Sequence, residues 1–189
     1  MKIWELKGSS DNYESFQLLN YKKDKKYFEG KFNSTTILLD SWGEIFIECL
    51  EEGNHSDFPH FWGETGAPTI SEQAKKLLEP LIGANVEFLP LINNTTGEVY
   101  YVVHVLNVLD AIDSDKAILK KLITGLIIGC EKFAFTPNVI QNEMIFKVYV
   151  NKRIHPTAVF VSDELRNAVL ESDLKGFEFV EVWDSEANM

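Results

Sequence analysis

The stretch HSDFPHFWG at 55–63 gathers the side chains best suited to chemistry: His55 and His60, five apart, with Asp57 between them. Two imidazoles and a carboxylate can ligate a metal or relay a proton. A zinc site needs three or four ligands aimed at one point, and a helical H-E-x-x-H supplies two of them through its i, i+4 geometry. A loop spacing of five has no such built-in convergence. The competing reading is a loop packed by its own rings, with Phe58, His60, Phe61 and Trp62 against the body and Asp57 accepting from amides near Pro59. The loop reading is the stronger one. His104 shares a strand face with Tyr100, Val102, Leu106 and Val108, which predicts a buried, hydrogen-bonded imidazole ahead of a general base.

The other candidates are weaker still. No G-x-S-x-G, G-x-x-x-x-G-K-[ST] or strand-following G-x-G-x-x-G occurs. Glu51-Glu52 and the cluster Asp110, Asp113, Asp115 could suggest paired carboxylates or a cation loop. The cluster lacks the central glycine and terminal glutamate of an EF-hand, and it fits a solvated turn at a helix start, where carboxylates suit the positive end of the dipole. Cys49 and Cys130 have no metal-like spacing and read as reduced core thiols, with a disulfide between them left open. The expectation is no catalytic residue, no metal and no cofactor.

Charge narrows the partners. Residues 1–31 carry seven of the 18 basic residues and five of the 29 acidic ones, leaving 11 against 24 beyond. A surface this acidic repels phosphate backbones and anionic membranes, and Arg153 and Arg166 alone supply guanidinium forks. Nucleic-acid and membrane partners are therefore disfavoured; a basic protein is favoured. The opening segment carries Glu5 and Lys7 where a signal peptide needs an unbroken apolar stretch, and the run 122–130 is far short of the roughly 20 residues that span a bilayer. A cytoplasmic protein is expected.

Positioning these residues falls to a strand-rich chain. KIWEL (2–6), TILLD (36–40), EIFIECL (44–50), VEFLPLI (86–92), 98–110, the runs KLITGLIIG, KFAF and MIFKVYV, AVFV (158–161) and FEFVEVW (177–183) read as strands. KKDKKYFEGK (22–31) reads as a solvated turn and 51–69 as a long ordered loop. Ser71 and Ser162 are N-cap candidates before amphipathic runs, with Pro80 expected to end or kink the first helix and Gly176 to make a turn. The passages from Ser71 and from Ser162 align without a gap at an offset of 91, a similarity that two cap–helix–strand units can share by chance. The expected fold is α+β, a largely antiparallel sheet or sheets with two main helices, each followed by a strand. One domain over 1–189 is expected, with two lobes at about 1–68 and 69–189.

Asp57-x-Pro59, Pro68-x-x-Ser71, VEFLPL, YYVVHVLNVLDAID (100–113), IFKV (145–148), VFVSDEL (159–165) and GFEFVEV (176–182) together resemble a family of bacterial polymorphic-toxin immunity proteins. The resemblance is strongest over 57–110 and 145–182. It implies a protein that binds and neutralises a toxin encoded by a neighbouring gene, without cofactor or turnover. It carries no contact motif. Buried aromatic anchors ringed by carboxylates would suit such a contact, which selects Glu51, Glu52, Asp57, His60, Phe61 and Trp62. Two other readings stay open: a metal-dependent or hydrolytic enzyme using His55, Asp57 or His60, and a structural or regulatory binding module, including a homodimer through a sheet edge.

Overall fold

The computed structural model describes residues 1–9, 11–64, 66–124 and 127–186. In chain order its elements are β1 (Lys2–Gly8), β2 (Ser15–Leu18), α1 (Tyr21–Asp24), β3 (Phe46–Glu51), β4 (His60–Phe61), β5 (Thr69–Ser71), α2 (Glu72–Ile82), β6 (Val86–Asn93), β7 (Val99–Val105) and β8 (Val108–Leu109). They continue with β9 (Ile118–Lys121), β10 (Ile127–Lys132), α3 (Pro137–Ile140), β11 (Ile145–Val150), β12 (Arg153–Ile154), β13 (Phe160–Ser162), α4 (Asp163–Leu170) and β14 (Phe177–Asp184). One sheet runs β12-β11-β13-β1-β14, with β8 beside β11; the other runs β4-β2-β3-β6-β7-β5; β9 and β10 form a separate pair.

Strands predominate over short helices, as expected of an α+β chain, but the sheets are mixed. β2 pairs with β4, β3 with β6, and β8 with β11 in parallel. The expectation of a largely antiparallel sheet needs that correction. α1 and α3 also join the two expected helices.

Both main helices are amphipathic and capped as the sequence predicts. The Ser71 hydroxyl accepts from the Ala74 amide, and the Ser162 hydroxyl accepts from Leu165. Each helix lays its i, i+4 apolar row inward: Ala74, Leu78 and Ile82 on α2, Leu165 and Val169 on α4. Pro80 does not stop α2, which runs on to Ile82. It sits in the last turn on the exposed side, where its missing N–H removes a single bond close to the helix end.

The two strand–helix–strand units share more than local sequence. β5 and β6, joined by α2, flank β7; β13 and β14, joined by α4, flank β1; all four pairings are antiparallel. The middle strand follows its unit in one case and precedes it in the other. The two passages thus share a strand–helix–strand arrangement around a middle strand whose place in chain order differs.

Three apolar clusters fill the layers. α2, α4 and facing residues of both sheets (Val103, Val105, Ile145, Val161) form one shared core. The far face of the second sheet buries Phe16, Leu89, Leu91, Tyr100 and Val102 under Phe28, Phe32 and Leu38. The far face of the first buries Phe146, Phe160 and Trp183 against Phe135 and Ala111. Strand alternation allots β7 residues to both sides, so β7 is covered on each face, as its continuous apolarity predicts.

Five expected elements differ. Residues 22–31 form α1 and a 3-10 turn at Lys25–Tyr27 that bury Asp24 and Phe28, so this is no solvated turn. TILLD is not a strand: Leu38 is buried and the Leu38 and Leu39 amides bond the Glu87 carboxylate instead of a ladder. The run 98–110 breaks at Leu106-Asn107, whose amides turn to the Asn85 carbonyl, and β8 crosses to the first sheet beside β11. The run 121–129 splits between β9 and β10, with 125 and 126 outside the described residues. KFAF gives one bridge, Ile112 to Phe135. No helix among the described residues is long and apolar enough to cross a membrane.

Candidate functional site

The segment from β3 to β4 begins exposed at Glu51 and Glu52, then returns to the body through Asn54, which bridges Tyr13. The chain turns inward at Ser56, just ahead of the buried Asp57. Its Oδ1 accepts from the Ser71 hydroxyl at 2.5 Å and its Oδ2 from the Lys175 amide at 2.9 Å. Its own amide donates to the Lys175 carbonyl, and its carbonyl accepts from the Ser71 amide. Asp57 thus joins the loop to the start of α2 and to the turn before β14. The sequence predicts donors near Pro59; they lie 14 and 118 residues away instead.

His55 is exposed. Its Nδ1 lies 3.0 Å from Glu14 Oε1 and its Nε2 3.8 Å from Asp57 Oδ1. Ser71, Asp57 and His55 therefore stand in a row, but in an order that does not activate a serine. The Ser71 hydroxyl donates to the carboxylate, no imidazole takes its proton, and its lone pair receives the Ala74 amide. Among the described residues no three His, Cys, Asp or Glu side chains are grouped to hold a metal ion.

Past Asp57 the chain alternates. Phe58 is buried against Phe177, with centroids 4.7 Å apart. His60 is exposed, Phe61 is buried against Phe28 at 5.5 Å, and Trp62 is 55% exposed. The His60 and Trp62 rings meet edge to face at 4.6 Å on the outside. Strand alternation in β4 produces this division, one side chain in and its neighbours out.

Of the six residues selected as a contact surface, Glu51, Glu52, His60 and Trp62 are exposed, and the first of these with both rings lines one cleft of about 480 Å³ together with Tyr13 and Glu14. Asp57 and Phe61 are buried instead of exposed. Tyr13 and Glu14 were missed because only the parallel pairing of β2 with β4 brings them beside His60.

Cys49 is exposed and Cys130 half-buried, and they are not joined, so neither is the core thiol expected. Desolvation, with smaller contributions from the Glu14 and Glu52 carboxylates, pushes the Cys49 thiol up. Asp110, Asp113 and Asp115 lie in a turn before β9 rather than at a helix start, with Asp113 accepting from the Asp115 amide.

Three further buried ionisable groups serve the framework. His104 lies between acceptors: Nδ1 is 2.9 Å from Glu87 Oε2 and Nε2 is 2.9 Å from the Ser34 carbonyl. Burial works to raise Glu87, but the Leu38 and Leu39 amides and His104 outweigh it and hold the carboxyl below the ordinary range. The Lys147 ammonium is enclosed by the carbonyls of Phe32, Gly66 and Pro156 at 3.0–3.2 Å, and burial pushes it down to about 8.

A comparison with curated proteins finds no match. A family model does match, over residues 46–184, that is from β3 to the end of β14. This span holds the Asp57 junction, both capped helices and the Glu51–Trp62 surface, and the chain belongs to the immunity protein family Imm11.

Proposed function

We propose that the protein, acting as one unit over 1–189 in the cytoplasm, binds and neutralises a cognate protein toxin without turnover. Membership of an immunity protein family is the observation that carries this reading. A formal charge of −11 supports a basic partner, because opposite potentials speed capture. The proposed contact surface is the exposed remainder of the selection: Glu51, Glu52, His60 and Trp62. An exposed pair of rings amid carboxylates suits an anchor with a polar surround.

Co-expression tests it. Cells producing the toxin encoded beside this gene should grow when the protein is present and die without it; failure to protect would refute the proposal. The hydrolytic or metal-dependent alternative built on His55, Asp57 and His60 is opposed by the engagement of Asp57 with Ser71 and Lys175. A purified protein that carries one equivalent of metal, or an activity abolished by His60→Ala, would revive it.

A further inference from the structure

Two clefts meet at Gly8 and His60, which line both. The first, about 480 Å³, presents Tyr13, Glu14, Glu51 and Trp62. The second, about 360 Å³, presents Glu5, Lys7, Glu64 and Thr69. Four carboxylates thus face one ammonium, and Lys7 is itself paired with Glu5 at 3.3 Å. Between the clefts lies β4, which ends the second sheet with β2 as its one ladder partner among the described residues. In the second cleft the Thr69 hydroxyl is buried and has no hydrogen-bond partner among the described residues.

Each feature restricts the occupant. An anion would face four carboxylates with no unpaired ammonium to receive it. An apolar ligand would strip water from those carboxylates with no compensation. A cationic side chain gains from both, since carboxylates attract it and exposed aromatic rings favour it over their faces. The sheet edge and the paired clefts suit an extended stretch of chain, whose main-chain groups can bond an open strand. Thr69 offers a further hydroxyl in need of a partner.

We infer that the two clefts form one acidic groove that takes a basic, extended segment of the partner polypeptide, with an arginine or lysine side chain seated in the cleft lined by Tyr13, Glu51 and Trp62. This rests on the toxin-binding reading and specifies how that partner is gripped.

The test uses the full chain, isotopically labelled, titrated with two capped hexapeptides, Gly-Arg-Gly-Ser-Arg-Gly and Gly-Glu-Gly-Ser-Glu-Gly. The arginine peptide should shift the Trp62 indole N–H and the amides of Gly8, Tyr13 and Glu51 in a saturable, salt-dependent manner, and the glutamate peptide should not. Glu51→Lys with Trp62→Ala should weaken that binding about tenfold or more. Both side chains are exposed, and Trp62→Ala alone carries the test if the pair does not fold. Equal shifts with both peptides, no shift, or shifts centred elsewhere would overturn the groove. The rescue assay separates the two ideas: full protection by the double variant refutes the groove and leaves neutralisation standing, whereas no protection by the natural protein refutes neutralisation itself.

Discussion

Replacing Lys147 with methionine should change how stability depends on pH as well as stability itself. Burial holds the folded ammonium at about 8, against 10.5 for the unfolded chain. The unfolded state therefore binds the proton more tightly, and stability rises with pH through the interval between those values. From the two values the gain between pH 7 and pH 9 is about 1.4 kcal/mol. Methionine removes that slope. It also leaves the Phe32, Gly66 and Pro156 carbonyls without their donor, at about 1–3 kcal/mol for each group left unsatisfied, partly offset by relief of the buried charge. The variant should be less stable at pH 7, and its deficit should widen towards pH 9. Urea unfolding followed by tryptophan fluorescence at pH 7, 8 and 9 reads both quantities. Parallel pH profiles for the two proteins would refute the account of Lys147 as a buried, depressed ammonium.

Asp57→Ala leaves the Ser71 hydroxyl and the Lys175 amide unpaired and should cost about 2–4 kcal/mol, seen as a fall of roughly 4–16 °C in thermal unfolding; an unchanged midpoint would remove Asp57 as a junction. The Glu87 carboxyl is depressed on folding, so it adds stability above its unfolded value that is lost as pH falls through the folded one. Glu87→Gln should be less stable at neutral pH and should lose less stability on acidification below about 4.5 than the natural protein, as acid titration of the unfolding free energy would measure.

Local chemistry made the helices legible. Ser71 and Ser162 sit where hydroxyls must cap, and the spacing of Ala74, Leu78 and Ile82 leaves one inward face. Pairing direction was not legible, because a strand such as β3 has the same alternation whether its neighbour runs parallel or antiparallel. Lys147 sits between Phe146 and Val148 like any outward lysine; its burial depends on the Pro156 carbonyl and on two more, from Phe32 and Gly66, that lie far along the chain. Residues 22–31 carry so many lysines that Phe28 was overlooked, although its spacing of four to Phe32 is a helical one. In the candidate site, exposure of Glu51, Glu52, His60 and Trp62 agreed with their types. Asp57 misled because its donors were expected next to Pro59, whereas they come from Ser71 and Lys175, far along the chain.

The place of β1 between β13 and β14 has a kinetic consequence. Trp4 and its partner Asp163 are 159 residues apart, so β1 leaves the ribosome long before either neighbour exists. Pairing across such a separation is slow to find, and both edges of β1 stay open until it happens. The first sheet is complete only when β14 docks along the far edge of β1.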